Sequence, residues 1–313
     1  MRARMTPWGW ARLVGGAAIL AVVVASVGTG PFTDAVRLTN AGALAVAALA
    51  GLATTACCAW RWSLVARGLD VAVPLPAAVG ACYRSQFLNV TLPGGVLGDV
   101  HRGVAHGRQA GELGRTVRAV VWERSAGQVV QVVLTVGALL VLASPASGSM
   151  PAIATLLAAA TLVGVLVGWA LRRTRLVRAA SDDVRRGLLG PGVWPGILLA
   201  STLAVAGHLV VFLVAARTAG VDVSPARVLP LGLIVLLASA VPTNVAGWGP
   251  REGAAAWAFG AAGLGAATGA TVAIVYGVMV LFAALPGAVL LLAGWLAGKA
   301  PQLAPAPEGA RHG

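Results

Sequence analysis

LPGGVLGD, residues 92–99, interrupts an apolar segment that otherwise runs over residues 76–97. Proline and closely spaced glycines break a helix. Inside a bilayer, a broken backbone is tolerated only where it is buried in protein or lines a cavity, and glycines let a ligand approach the backbone amides closely. We therefore interpret this segment as a re-entrant hairpin at a binding site, rather than as a lipid-facing helix.

A second apolar segment, residues 228–249, is broken in a similar way. The matching residues lie at offsets of three, five and nine from a proline: Pro93, Val96, Gly98 and Arg102 in the first segment, and Pro242, Val245, Gly247 and Arg251 in the second. Because broken helices in two corresponding positions are typical of transporters built from inverted repeats, the spacing indicates an internal duplication.

The composition shows which class of protein carries these breaks. Hydrophobic residues make up 58% of the 313 residues and the mean hydropathy is +0.85, more than a soluble chain of this size can bury. The net charge of +13 comes from arginines between apolar segments. Arginines in these positions are topology signals, so we do not expect nucleic-acid binding. The three cysteines, Cys57, Cys58 and Cys82, have neither a disulfide nor a zinc spacing, and we expect no metal or cofactor.

Six unbroken apolar segments are long enough to cross the membrane, at residues 13–30, 41–60, 119–143, 152–171, 195–216 and 267–296. The predicted fold is an all-α polytopic bundle, with six spans plus two re-entrant hairpins that open from opposite sides as an inverted repeat. Residues 1–298 form the membrane domain and residues 299–313 a short Pro-rich cytoplasmic tail.

The arginines orient this bundle in a bacterial cytoplasmic membrane with both termini in the cytoplasm. The cytoplasmic side then carries most of them, including Arg61 and six between Arg172 and Arg186, whereas the outside carries only Arg37, Arg217 and Arg227. This distribution obeys the positive-inside rule.

Each break carries polar residues suited to an anion. Arg102 could hold a phosphate while Asp99, three residues earlier, caps the following helix or restrains the arginine. The second break offers the same chemistry through Asn244, Gly247, Trp248, Gly249, Pro250, Arg251 and Glu252. The alternative is that both arginines pair with carboxylates and serve packing alone. Because charges inside a membrane are expensive and usually functional, we favour a site, and we expect alanine at Arg102 or Arg251 to abolish function without loss of stability.

A polar stripe lies on the segment that begins near Arg118. Its members are Arg124, Gln128, Gln131 and Thr135, with Glu123 about 100° around the helix from Arg124. The stripe must face protein or water, and hydrogen bonding between helices is the alternative to a site. Arg84, Asn89 and His208 are further candidates for the same cavity, although we interpret His208 as a packed histidine with a hydrogen-bond partner.

At these residues the chain resembles the membrane region of the lysylphosphatidylglycerol synthase family, the flippase-like membrane proteins. The residues that carry the likeness are Asn89, the run from Pro93 to Arg102, Glu123-Arg124, and the run from Gly247 to Gly253. The resemblance covers nearly the whole chain. It implies movement of lipids between leaflets, and without a soluble synthase domain after residue 298 it implies no aminoacyl transfer. Related stand-alone proteins are associated with polyprenyl-linked sugars, so the lipid stays open.

Three functions compete: a carrier of an anionic phospholipid or polyprenyl-phosphate lipid, which we favour; a non-catalytic partner of a lipid synthase or glycosyltransferase; and an intramembrane enzyme using Asp99, Glu123 or Glu252. We expect no enzyme activity. The candidate partners are the bilayer, an anionic lipid, a lipid-modifying enzyme and a second copy of the chain. The residues predicted to bind the headgroup are Arg84, Asn89, Gly94, Gly95, Gly98, Asp99, Arg102, Glu123, Arg124, Gln128, Asn244, Gly247, Trp248, Gly249, Arg251 and Glu252.

Overall fold

The computed structural model of the chain describes residues 37–92, 95–141, 175–240 and 249–297. Within these ranges the chain is helical and has no strand, which confirms the all-α prediction. The described helices are α1 (Ala41–Gly68), α2 (Leu75–Thr91), α3 (Leu97–Ala110), α4 (Leu113–Val141), α5 (Arg175–Gly187), α6 (Trp194–Thr218), α7 (Pro225–Ser239), α8 (Pro250–Ala261) and α9 (Ala266–Leu296).

Four of the described helices, α1, α4, α6 and α9, are long and apolar enough to cross a membrane. They correspond to the predicted spans 41–60, 119–143, 195–216 and 267–296, so the chain is a multi-pass membrane protein. The other two predicted spans, 13–30 and 152–171, lie outside the described residues, as does the predicted tail at 299–313.

Helix α1 continues past the predicted end of its span at residue 60 and reaches Gly68. The extra turns bury apolar side chains, among them Trp62 and Val65, each 0% exposed. The prediction that Arg61 is a charge at the cytoplasmic surface is therefore wrong. Arg61 lies inside the bundle and is only 7% exposed.

Both broken segments form pairs of short helices. Helices α2 and α3 pack against each other, and so do α7 and α8. They contain 17, 14, 15 and 12 residues in chain order. At about 1.5 Å per residue, none of the four reaches the roughly 30 Å of a bilayer core. This geometry agrees with two re-entrant hairpins.

Two long helices contact both hairpins. Helix α9 packs against α2 of the first hairpin and α8 of the second, while α4 packs against α3 and α7. Helix α1 packs most extensively against α6. A closely packed backbone positions the first hairpin, because a Cβ on Gly98 of α3 would overlap the carbonyl oxygen of Ser85 on α2. The hairpins are thereby held facing a shared interior.

Candidate functional site

A polar cavity of about 260 Å³ lies between the two hairpins, and every described helix except α5 contributes to its wall. Its polar and charged lining consists of Cys58, Arg61, Cys82, Ser85, Gln86, Asn89, Asp99, Arg102, Glu123, Arg124, His208, Ser239, Arg251 and Tyr276. Such a concentration of charge within an apolar bundle requires close pairing of the charged groups.

Glu123 on α4 binds two arginines. Its Oε1 accepts hydrogen bonds from Arg61 Nε at 2.8 Å and Arg61 Nη2 at 2.5 Å, and its Oε2 accepts from Arg102 Nη2 at 2.5 Å. The carboxylate is only 1% exposed. Because a buried charge is stable only when it is paired and hydrogen-bonded, Glu123 fixes α1 and α3 to α4.

Asp99 holds the start of α3 in place. Its Oδ1 accepts from Ser85 Oγ at 2.9 Å and lies 3.0 Å from Arg102 Nη2. Its Oδ2 accepts from Asn89 Nδ2 at 2.9 Å and from Arg124 Nη2. The Asn89 side chain also accepts from the backbone N–H of α3 residue Gly98 at 2.8 Å. Helix α2 is thus tied to the first turn of α3 on both sides of the break.

The two buried arginines have further partners. Arg61 Nη1 donates to Ser201 Oγ of α6 at 3.0 Å. Arg102 Nη1 donates to Cys82 Sγ at 3.2 Å, and its guanidinium carbon lies 4.8 Å from the centre of the Trp62 ring. A desolvated arginine over tryptophan is a favourable cation–π arrangement. Both guanidinium groups are therefore held in one position.

The second hairpin brings Arg251 to the same cavity. Its Nε and Nη2 donate to Glu252 Oε1 at 2.9 and 2.6 Å, while Glu252 Oε2 accepts from the Gly249 backbone N–H at 2.6 Å and so caps α8. The Arg251 guanidinium carbon lies 5.6 Å from the Tyr276 ring centre. The Tyr276 hydroxyl lies 3.2 Å from His208 Nδ1. His208 thus has the expected hydrogen-bond partner and also lines the cavity.

An apolar groove of about 600 Å³ adjoins the polar cavity. The two spaces share Gly95, Asp99, Arg124 and Ser239. The rest of the groove wall is mainly valine: Val96, Val100, Val104, Val117, Val120 and Val121, together with Gln128. The Arg124 side chain is 45% exposed and stands at the junction. A molecule in these two spaces would meet charge at one end and hydrocarbon at the other.

The described side chains do not include a group of three or more His, Cys, Asp or Glu residues that could hold a metal ion. The groups available to an anion are the arginines and the N-terminal ends of α3 and α8.

The family model for the lysylphosphatidylglycerol synthase transmembrane (TM) region matches residues 9–287. The chain belongs to this family. Comparison with curated proteins and with solved structures gave no match. The name describes the membrane part of a synthase. Of the residues that suggested the family from sequence, those that line the polar cavity are Asn89, Gly95, Asp99, Arg102, Glu123, Arg124, Pro250 and Arg251.

Most of the predicted headgroup residues come together in the structure. The cavity wall contains Asn89, Gly95, Asp99, Arg102, Glu123, Arg124 and Arg251. Gly98, Gly249 and Glu252 bond to wall residues or to each other, and Gln128 lines the groove. Gly94, Asn244, Gly247 and Trp248 lie outside the described residues.

Arg84 is the predicted residue that the structure places elsewhere. It lines neither the polar cavity nor the groove. Its Nη1 lies near Gly80, on the side of α2 that also faces Leu290 of α9. Arg84 is therefore a half-buried arginine on a different face of α2 from Ser85 and Asn89.

Sequence reasoning missed Arg61, Ser85, Ser201 and Tyr276. The sequence pattern places Arg61 at the cytoplasmic surface, because the predicted span ends at residue 60. The apolar residues that follow, Trp62 and Leu64, were the available signal that the helix continues. Ser201 contacts Arg61 across 140 residues of chain, a pairing that no local pattern indicates.

Proposed function

We propose that this chain binds an anionic lipid, phospholipid or polyprenyl-phosphate-linked, and moves it between leaflets without altering it. The observation that carries the proposal is the junction at Arg124, where an arginine-lined cavity meets a valine-lined groove. A charged headgroup and a hydrocarbon tail fit these two environments.

The charges of the site favour an anionic headgroup. Among the described residues of the site, four arginines (Arg61, Arg102, Arg124 and Arg251) pair with three carboxylates, those of Asp99, Glu123 and Glu252, which leaves one positive charge. Residues 93–94 and 241–248, which belong to the two breaks, carry no charged side chain and so do not change this count. Guanidinium groups bind phosphate strongly through charge-assisted hydrogen bonds. A zwitterionic headgroup brings its own cation and gains less from this excess.

The two hairpins supply a means of movement. Gly95 and Asp99 of the first and Pro250 and Arg251 of the second line the same cavity. In transporters with inverted repeats, a site between the repeats becomes accessible from each side in turn when one repeat moves relative to the other. A headgroup held here would be exposed first to one leaflet and then to the other.

The pairing of the carboxylates favours a carrier over an intramembrane enzyme. Glu123 is bonded to two arginines, and Asp99 has four partners. A general acid or base needs a proton-transfer path to its substrate, whereas these carboxylates already neutralise and position arginines.

We also propose the cytoplasmic membrane as the location, with the exposed Arg185 and Arg186 on the cytoplasmic side. Helix α6 separates these residues from Arg217 and Asp222. Because α6 is long enough to cross the membrane, the two groups lie on opposite sides, and the arginine-rich side is the inside.

Native mass spectrometry of lipids that co-purify with the full chain tests the binding part of the proposal. Anionic phospholipid or polyprenyl-phosphate lipid should be retained above its share in the host membrane, and less should be retained by Arg251→Ala. Retained lipids that mirror the bulk membrane in both proteins would contradict it and leave the partner-subunit function ahead.

A further inference from the structure

Arg124 is held differently from Arg61 and Arg102, the two arginines that pair with Glu123. Its side chain is 45% exposed, against 9% for Arg61 and 4% for Arg102. Arg61 and Arg102 are both held by Glu123 and have additional partners on other helices. Arg124 bonds to Asp99 from the edge of the cavity. It is the arginine that can turn towards a ligand with the least disruption of the bundle.

Asp99 keeps its hydrogen bonds if Arg124 leaves. Ser85 and Asn89 each donate to it at 2.9 Å, and Arg102 lies 3.0 Å away. A carboxylate with three remaining partners stays satisfied in its buried position. Glu123 differs from Asp99, because its described hydrogen bonds come from two arginines, Arg61 and Arg102, which are themselves buried.

We propose that Arg124 and Asp99 form an exchangeable ion pair, in which the phosphate of a bound lipid replaces Asp99 as the partner of Arg124. Both residues line the polar cavity and the apolar groove, the place where a headgroup joins its tail. Arg61, Arg102 and Glu123 stay locked and keep the cavity open. This inference rests on the proposed function and identifies its headgroup contact.

The charge balance also selects the class of phosphate. The described cluster has one excess positive charge. A phosphodiester, which carries one negative charge, neutralises the site, whereas a phosphomonoester can carry nearly two. The ligand is therefore a phosphodiester lipid without a cation of its own, either a glycerophospholipid such as phosphatidylglycerol or a polyprenyl phosphate esterified to a sugar.

Arg118 offers a matched control. It lies on the same helix as Arg124, is 47% exposed, and pairs with a buried aspartate, Asp183, at 2.7 Å, but it lines neither the cavity nor the groove. Removing either arginine deletes a half-exposed ion pair of α4. Only one of the two deletions should affect the lipid.

The test is a lipid titration of the purified full chain in detergent, followed by native mass spectrometry. The probes are phosphatidylglycerol, a polyprenyl phosphoryl sugar, phosphatidic acid and phosphatidylcholine. Arg124→Ala should weaken binding of whichever phosphodiester the protein prefers by about tenfold, whereas Arg118→Ala should not. Asp99→Asn should tighten that binding by about threefold, because the competing carboxylate has lost its charge. Phosphatidylcholine binding should change little in any variant.

Several results would overturn the inference: unchanged binding of the preferred anionic phosphodiester in Arg124→Ala, weaker binding of that lipid in an Asp99→Asn protein that unfolds at the wild-type temperature, or tenfold preference for phosphatidic acid. If Asp99→Asn does not fold, the comparison of Arg124→Ala with Arg118→Ala decides. Arg124-dependent binding without leaflet exchange would refute the transport function and leave the exchangeable pair intact. Leaflet exchange that persists in Arg124→Ala would refute the exchangeable pair and leave the transport function intact.

Discussion

Gly127 of α4 lies directly against the guanidinium group of Arg61 from α1. A Cβ at Gly127 would come within 2.8 Å of Arg61 Nη1 and 2.9 Å of its Cζ. Gly127 follows Glu123 by four residues and so lies on the same face of α4. The glycine leaves the space in which Arg61 reaches its buried carboxylate.

Gly127→Ala should therefore destabilise the protein, although alanine is the better helix former. The added methyl group displaces Arg61 from Glu123, and overpacking of this kind costs about 1–3 kcal/mol. Thermal unfolding in detergent measures the effect. Gly137→Ala is the control on the same helix, since a Cβ there meets nothing within 4 Å. A Gly127→Ala protein as stable as Gly137→Ala would show that the position of Arg61 is not needed.

Gly277 of α9 stands in the same relation to Arg251. A Cβ at Gly277 would overlap Arg251 Nη2, and the guanidinium lies over the neighbouring Tyr276 ring. Gly277→Ala should push Arg251 out of the cavity and reduce anionic-lipid retention about as much as Arg251→Ala does. Gly253→Ala, where a Cβ meets nothing within 4 Å, should retain lipid normally. Equal lipid retention in Gly277→Ala and Gly253→Ala would show that the position of Arg251 does not matter for lipid binding.

Arg102 and Arg251 should differ in their effects on folding. Arg102 is 4% exposed and pairs with both Glu123 and Asp99. Because Arg102→Ala removes a cation from these buried carboxylates, the free energy of unfolding should fall by about 3–5 kcal/mol. In Arg251→Ala, Glu252 still caps α8, and the free energy of unfolding should fall by only about 1–2 kcal/mol. Comparison of detergent unfolding midpoints checks this. Equal midpoints would contradict the structural role given to Arg102.

The residues near the first break were predictable because they are local. Asn89, Asp99 and Arg102 lie within 14 positions of one another around a Pro- and Gly-rich interruption, and such an interruption in a membrane segment already predicts a protein-lined cavity. The 100° between Glu123 and Arg124 likewise agrees with their environments, since one is buried and the other stands at the groove.

The ion-pair partners were not predictable, because they depend on which helices become neighbours. Sequence reasoning left open whether Arg102 pairs with a carboxylate, and it treated Arg102 and Arg251 as equally dispensable for stability. The structure separates them, because Glu123 from a third helix closes over Arg102. Arg61, which the sequence predicts at the cytoplasmic surface, is buried in the bundle and lines the polar cavity.

The orientation of the bundle can be tested by labelling. In a background without Cys57, Cys58 and Cys82, a cysteine replacing Asp222 should react with an impermeant reagent from outside the cell. A cysteine replacing Arg185 should react only after the cytoplasm is opened. The side chain of Asp222 is 99% exposed and Arg185 is exposed, so access is limited by the membrane alone. Labelling of both from one side would contradict a membrane-crossing α6.

The central claim is that the protein moves an anionic lipid between leaflets, and leaflet exchange in liposomes tests it most directly. The purified chain is reconstituted with fluorescent phosphatidylglycerol, phosphatidylcholine or a polyprenyl phosphate lipid in one leaflet, and transfer to the other leaflet is followed with and without a proton gradient. Protein-dependent exchange of an anionic lipid, faster than that of phosphatidylcholine and lost in Arg251→Ala, is the predicted result. No protein-dependent exchange of any anionic lipid under either condition would contradict it.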